Sequence, residues 1–392
     1  MEQQRSTDRL EISSREGSQP AVVSQLVEKT ARLAHENPVV SHHGSSPPPG
    51  RHGFPRLLRA AWWTSYAAAW CGALGLAALA LLRIFYHDGT YLLTCINAFT
   101  FYAYLPAYVV LIWATRKRRW ALAALSCFVA LCHLVWVAAD FTPARALEPS
   151  SAIGDVSPVI KVFYANVSAY NKEHLDLLAE VAREDPDVIV LVEYRRWWQV
   201  IVMSLPFAKK YHYGTGITQE FLGEMAVFSK LPITNVERHW PTGRQICLVD
   251  VQVGTEPLRL FCLHSPRPMQ LSGHAYFEYW DETLPLVGAQ RGPLVVVGDF
   301  NATQHSNVHR QLIAGGMRSA HVDRGSGYAT SWPNWQFLAP PIRIDHALLS
   351  PEVECLSIRE GEGRGSDHRP LIFDVRIRRR EPSAAAPPGG RS

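Results

Sequence analysis

Residues Leu294–Asn301 read LVVVGDFN. A run of four apolar residues, three of them β-branched, predicts a buried strand, because a half-exposed strand would alternate with polar residues. Gly298 is read as ending that strand in a tight turn, with Asp299 and Asn301 standing where the strand stops. Taken alone, this is a βα turn whose Asp and Asn close the backbone and cap a helix. A carboxylate and an amide two residues apart at a strand end also suit a metal or a reacting phosphate. The ends of the other strands decide between these readings.

Outward from this stretch, strand after strand stops on a polar residue. Ile160–Tyr164 runs into Asn166, and Asp187–Val192 into Glu193. Met225–Ser229, with Pro232 behind it, reads as a short strand entering a turn. Gln245–Val253 and Leu258–Leu263 predict a hairpin around Gly254, and the second strand ends at His264. Ile342–Leu349 carries Asp345 and His346, while Val353–Ile358 and Pro370–Val375 flank GSDHRP with Asp367 and His368. Helical spacing appears at Glu173–Arg183 (Leu175, Leu178, Ala179 and Ala182 on one face) and at Ala275–Leu284. Many strands with helices between them predict two packed sheets covered by helices.

Singly, each polar residue has an ordinary explanation: Glu193 as a surface carboxylate, His264 as a satisfied core histidine. Asn166, Glu193, His264, Asp299, Asn301, Asp345, Asp367 and His368 together ask for a common one. Carboxylate and amide oxygens without thiolates suit Mg²⁺ or Mn²⁺ rather than zinc. The histidines are then left for proton transfer. His346 lies one residue from Asp345, on the opposite face of its strand, and is read as structural.

The chain divides into an N-terminal tail (1–56), an apolar segment (57–140), a linker (141–158), the domain just described (159–378) and a C-terminal tail (379–392). Both tails are rich in Ser, Pro, Gly and charge, as in SHHGSSPPPGRHG, and hold too little apolar surface to offset chain entropy; they are expected to be disordered. Inside the first, QLVEKTARLAHE has weak helical spacing. The apolar segment contains three uncharged runs, Ala60–Leu82, Tyr91–Thr115 and Trp120–Ala139. Each is long enough to cross a hydrocarbon core of roughly 30 Å as a helix. Trp62, Trp63, Tyr102, Trp113 and Trp120 suit interfacial belts, and three such runs in succession weigh against buried soluble helices or a cleaved leader. Arg51, Arg56 and Arg59, with the Arg116–Arg119 cluster, fall on one side of a three-span, N-in arrangement, which puts everything after Asp140 outside the cytoplasm. The loop between the first two runs holds only Arg83 and His87 against Asp88. A net charge of +4 is too mild to argue for nucleic acid. Outside the spans, Cys247 and Cys262 are open to pairing or to remaining buried thiols.

The motifs YANV (Tyr164), LVEY (Leu191), HSPRP (His264), GDFNAT (Gly298), IDHALL (Ile344) and SDHRP (Ser366) occur in an order that resembles the endonuclease/exonuclease/phosphatase superfamily, the DNase I-like metal-dependent phosphoesterases. It departs in having Tyr164 and Ala165 before Asn166, and Tyr194 after Glu193. The several spans, HSPRP and TSWP (Thr330–Pro333) are similar to bacterial membrane-anchored members of the VanJ type. The resemblance implies a four-layer αββα sandwich, an α+β fold, behind a three-helix transmembrane anchor, with the site at one end of the two sheets. It implies Glu193, Asp367 and Asn166 as metal ligands for Mg²⁺ or Mn²⁺. His368 would be base or transition-state donor oriented by Asp345, Asp299 would handle a proton, Asn301 would hold phosphate, and His264 would act as second histidine. Arg267 and Arg369 are candidate phosphate contacts, with solvated arginines the plainer reading.

The function expected is hydrolysis of a phosphate ester or pyrophosphate, on a lipid-linked substrate outside the cytoplasm. An extracellular nuclease competes, although Arg195, Arg196, Trp197 and Trp198 form the only basic–aromatic cluster, which would equally rest on a bilayer or grip a head group. A catalytically inactive binding module is the third reading, and a fully occupied set of site positions weighs against it. Substrate choice is assigned to the loops Pro206–Met225 and Ala302–Pro341.

Overall fold

The computed structural model describes residues 53–147, 157–215, 224–269, 274–334 and 339–378. The expected tail through residue 52, including its weak helical stretch, the linker residues 148–156 and the tail 379–392 lie outside the described residues. The contacts discussed below all fall within Thr64–Ser392, one of the chain's two units.

The apolar segment forms helices α1 (Gly53–Tyr86), α2 (Tyr91–Ala98), α3 (Thr100–Ala103), α4 (Leu105–Arg116) and α5 (Trp120–Val137). Two stretches, Leu58–Tyr86 and Trp120–Phe141, are long and apolar enough to cross a membrane. The expected middle span is not one straight helix: Tyr91–Ala98 and Thr100–Arg116 meet at 75°. Polar groups inside the run explain the break. Asn97 Nδ2 reaches Asp88 Oδ1 at 2.6 Å and the Thr100 hydroxyl bonds the Asn97 carbonyl at 2.6 Å, so both side chains are buried in protein contacts instead of facing lipid. Small residues let the helices approach one another, with Ala77, Ala80 and Ala107 buried beside Tyr104 and Val129. Tyr102, expected in an interfacial belt, donates to the Pro341 carbonyl at 2.8 Å.

Twelve strands follow: β1 (Ile160–Asn166), β2 (Val188–Val192), β3 (Tyr213–Gly214), β4 (Met225–Ser229), β5 (Ile233–His239), β6 (Ile246–Val253), β7 (Glu256–His264), β8 (Leu294–Asp299), β9 (Arg318–Ser319), β10 (Asp345–Leu349), β11 (Val353–Glu360) and β12 (Leu371–Ile377). They make two six-stranded sheets, ordered β11-β12-β1-β2-β4-β3 and β5-β6-β7-β8-β10-β9. Among the described residues, only β1–β2 and β7–β8 pair in parallel.

Side-chain alternation builds the layers. Val162 and Tyr164 of β1 pack between the sheets with Val295 and Val297 of β8. Phe163 and Ala165 face outward onto α6 (His174–Glu184) and α7 (Arg196–Ser204). On the other side, Leu294 and Val296 meet α8 (His274–Ala289) and α9 (Asn307–Ala314). The order is helix, sheet, sheet, helix, the α+β sandwich the sequence predicts. Cys247 and Cys262 are register neighbours in the inter-sheet core, and both are free thiols.

Gly298 corrects one expectation. It lies within β8, not in the turn, and a Cβ there would come within 2.0 Å of the Leu263 carbonyl oxygen. Glycine lets β7 and β8 pass closely enough to align their last residues.

Candidate active site

The inward face of the sandwich, followed to one end, becomes the site. Asn166 continues the face of Val162 and Tyr164, His264 that of Leu260 and Cys262, Asp299 that of Val295 and Val297, and Asp345 that of Ala347 and Leu349. Register brings them side by side: Asp299 lies opposite Asp345 in one pairing and His264 in the other. Glu193 follows β2 directly. Its backbone and that of Asn301 take left-handed φ values of 57° and 45°, a strain of roughly 1–3 kcal/mol each that turns the side chains toward the site.

Asp299 is the meeting point. Its Oδ2 accepts from Asn166 Nδ2 at 3.2 Å and lies 3.7 Å from Nε2 of both His264 and His368. Its Oδ1 accepts from the Asn301 backbone N–H at 2.8 Å. Burial, with the Asp345 and Glu193 charges added to it, pushes this carboxyl up to about 7 although His368 pulls the other way.

His368 comes from the turn after β11. Its Nδ1 is 2.8 Å from Asp345 Oδ2, and Tyr164 donates its hydroxyl to Asp345 Oδ1 at 2.7 Å. Burial alone would lower the imidazole, but Asp345 and Asp299 outweigh it and raise His368 to about 10, so it is an imidazolium with a fixed orientation. Burial among these carboxylates raises the Tyr164 phenol well above its usual value and keeps it a donor. Ser366 Oγ ties the turn down by donating to the Asn166 carbonyl at 2.7 Å and accepting from the His368 N–H at 3.1 Å.

Across the site, Glu193 Oε2 accepts from the Ala169 N–H at 2.9 Å and Oε1 accepts from Asn166 Nδ2 at 3.2 Å. Burial favours the neutral acid, yet the Ala169 bond and the nearby His264 hold this carboxyl below its usual value. His264 is the reverse of His368: burial lowers it to about 4, leaving a neutral ring. The two histidines thus differ in charge while both face Asp299.

The remaining predicted residues are placed less uniformly. Asn301 donates Nδ2 to the Ser265 carbonyl at 2.9 Å, joining the β7 and β8 loops and leaving one N–H for a ligand. Asp367 departs from the expected metal set. Its carboxylate accepts the Trp332 indole N–H at 3.2 Å, and it is absent from the cluster of close metal-capable donors among the described residues, Asp299, Asp345 and His368. Asp367 is half-buried, and its charge still helps to raise His368. Arg369 is exposed and its backbone N–H bonds the Ser331 carbonyl at 2.8 Å. Arg267 does approach, at 3.8 Å from Glu193.

A pocket of about 180 Å³ opens on Glu193 and His264 and is rimmed by Arg195, Arg244 and Arg267. Arg244 and the Tyr164 hydroxyl are the contributions sequence reasoning missed, while Arg195 entered only as part of the RRWW cluster. Position after Glu193 is a signal for Arg195; none marks Arg244, which comes from another sheet. The RRWW cluster does not act as a unit, since Trp198 is fully buried against α6 and sheet one. His346 faces away from the site as expected, bonding the Ala302 carbonyl at 2.9 Å.

The donors fit a hard divalent cation. Glu193 and Asp299 oxygens flank one amide, without thiolates, and negative charge exceeds what the single imidazolium offsets. Glu193 would hold it, with Asn166 joining through Oδ1 once its amide, which points Nδ2 at Glu193 and Asp299, is turned over.

Residues 163–368 match the model of the endonuclease/exonuclease/phosphatase family, and the chain belongs to that family. It is therefore a metal-dependent phosphoesterase by class. No curated protein matches it. Among solved structures it is similar to TDP2 of D. rerio complexed with single-strand DNA product (16% identity, 56% of this chain, 99% of that chain, TM-score 0.46). It is also similar to the 3′ phosphatase NExo from Neisseria (17%, 55% and 98%, TM-score 0.44) and to an endonuclease/exonuclease/phosphatase from Beutenbergia cavernae (17%, 56% and 72%, TM-score 0.43).

Proposed function

We propose that this chain is a membrane-anchored phosphoesterase that hydrolyses a phosphate ester or pyrophosphate on a lipid-linked substrate outside the cytoplasm. The convergence of Asn166, His264 and His368 on Asp299 Oδ2 carries the catalytic part of this reading. Glu193 and Asn166 would hold Mg²⁺ or Mn²⁺, and Asp367 supports the turn that presents His368. When bound, the cation neutralises phosphate oxygens in the transition state.

The protein's own groups divide the remaining work. Asp299, poised near 7, takes a proton from the attacking water and passes it to the departing oxygen of the substrate. The His368 imidazolium, held by Asp345, donates to a non-bridging oxygen. Neutral His264 and the spare N–H of Asn301 position the phosphate, with Arg195, Arg244 and Arg267 at the rim.

The lipid-linked substrate is supported by the two membrane-length helices. Arg116–Arg119 lie at the turn between α4 and α5, the opposite end of α5 from Asp140, which touches the sandwich. Excess basic charge at that turn favours a cytoplasmic turn and an extracytoplasmic sandwich. Full-length protein with Mg²⁺, offered a polyprenyl pyrophosphate, a sphingomyelin-like diester and DNA, is expected to turn over a lipid substrate fastest. Preference for DNA would install the nuclease reading, and no turnover of any phosphate ester would favour a binding module.

A further inference from the structure

The sandwich does not hang from the anchor by its linker alone. At the end of α1, anchor and sandwich enclose a cavity of about 670 Å³, and none of Glu193, His264, Asp299, Asp345 or His368 lines it. Three acids reach it and each is engaged. Asp88 accepts from Asn97 Nδ2 at 2.6 Å and from the Asn307 N–H at 2.5 Å, at the start of α9. Asp140 faces Arg343 at 3.3 Å and Gln304 at 3.1 Å, and Asp323 faces Arg318 at 3.4 Å.

The cations are left over. Arg83 is 8% exposed, and its guanidinium bonds only neutral oxygens, Thr100 Oγ1 at 2.5 Å and the His305 carbonyl at 3.0 Å, while lying 4.6 Å over Trp136. No carboxylate among the described residues lies within ion-pair distance of it, although the Asp88 charge on the same wall acts on it. Arg310 bonds His87 Nε2 at 3.0 Å and Asn307 Oδ1 at 2.7 Å, again without an acid. On the same wall His309, 6% exposed, has a buried Nε2 with no hydrogen-bond partner. A buried guanidinium bonded only to neutral oxygens is costly, and its fork together with that of the exposed Arg310, facing one cavity, matches a phosphate. Ile84, Trp136, Ile313 and Met317 give the same cavity apolar walls. It opens at the end of a membrane-length helix, the level at which lipid head groups lie.

We propose that the cavity between anchor and sandwich binds the phosphate-bearing head group of a membrane lipid, gripped by Arg83 and Arg310, as a site separate from the catalytic centre. The bound lipid completes the contact between α1 and residues Gln304–Asn307, which follow the catalytic loop directly, and so fixes how the sandwich sits on the bilayer. The site needs the helices to be in a membrane but does not depend on what the catalytic centre hydrolyses.

Binding to full-length protein in neutral detergent tests it, with dihexanoyl phosphatidic acid, inorganic phosphate and dihexanoylglycerol as probes in calorimetry. Saturable binding of the phosphatidic acid, at least tenfold tighter than either other probe, is expected. Arg310→Gln, on an exposed side chain that does not threaten folding, should weaken it roughly tenfold or more, as loss of a charge-assisted bond implies. Arg83→Gln should do the same, while Glu193→Ala should bind as the parent does. Equal binding of inorganic phosphate or of dihexanoylglycerol, an unchanged affinity in Arg310→Gln, or lost binding in Glu193→Ala would each overturn the proposal.

Discussion

Replacing Asp345 by Asn keeps the shape of the side chain and removes the charge that holds His368. In the native site Asp345 takes two hydrogen bonds, from Tyr164 at 2.7 Å and with His368 Nδ1 at 2.8 Å, and is fully buried. His368 is raised from 6.5 to about 10, against the pull of burial, chiefly by Asp345 and then Asp299. The sign follows from linkage. A raised histidine stabilises the fold fully below its unfolded value near 6.5, and that stability is lost as pH rises through about 10. Between those limits the folded protein holds a proton the unfolded chain has released, so stability declines by up to about 1.4 kcal/mol per pH unit. Asp345→Asn should flatten that decline and cost about 3–5 kcal/mol at pH 6.5, the usual penalty for breaking a buried pair. Thermal unfolding in EDTA from pH 6 to 10 reads both quantities. Turnover should fall roughly 100- to 10,000-fold, because the imidazole loses charge and orientation together. Parallel pH–stability curves for the two proteins would refute the reasoning.

Gly298→Ala should destabilise the fold by more than about 3 kcal/mol and reduce activity, since its Cβ must push β7 from β8 by way of the Leu263 carbonyl; unchanged melting would show that the strands tolerate separation. Burial lowers His309 to about 3 and His346 well below its usual value, and their rings lie 5.0 Å apart. Depressed histidines bind protons only on unfolding, so stability should fall as pH drops below about 6.5, by up to about 1.4 kcal/mol per pH unit for each. His309→Gln should reduce that acid slope in melting curves, and an unaltered slope would remove His309 from the explanation.

The sandwich was legible because its strands are buried and its polar residues sit where the apolar alternation ends. LVVVGDFN and LRLFCLH carry the inward face straight into Asp299 and His264, DVIVLVE runs into Glu193 just past β2, and β1, β7, β8 and β10 hold Asn166, His264, Asp299 and Asp345. What stayed hidden has a common cause. β5, Ile233–His239, is a largely exposed edge strand and so shows no apolar period. Arg244 arrives by tertiary contact alone. Gly298 looks like a turn glycine in sequence, and only the 2.0 Å approach to Leu263 shows that it serves packing. The bend in the middle run was not legible because Asn97 and Thr100 are uncharged, and hydropathy does not register that they bond Asp88 and the Asn97 carbonyl. Asp367 enters the expected metal set only through the family resemblance, and its bond from the Trp332 indole comes by tertiary contact that sequence does not register.

The most direct test of the catalytic centre is phosphate-ester hydrolysis by full-length protein with Mg²⁺, with and without EDTA, beside Glu193→Ala. Glu193 sits at the pocket mouth with its two oxygens on Ala169 and Asn166, so its loss removes the principal cation donor without cutting into the core. Hydrolysis should stop on chelation, return when Mg²⁺ or Mn²⁺ is restored, and fall at least 100-fold in Glu193→Ala with melting unchanged to within a few degrees. Full activity in EDTA, or near-native turnover by Glu193→Ala, would contradict a metal-dependent centre built on this residue.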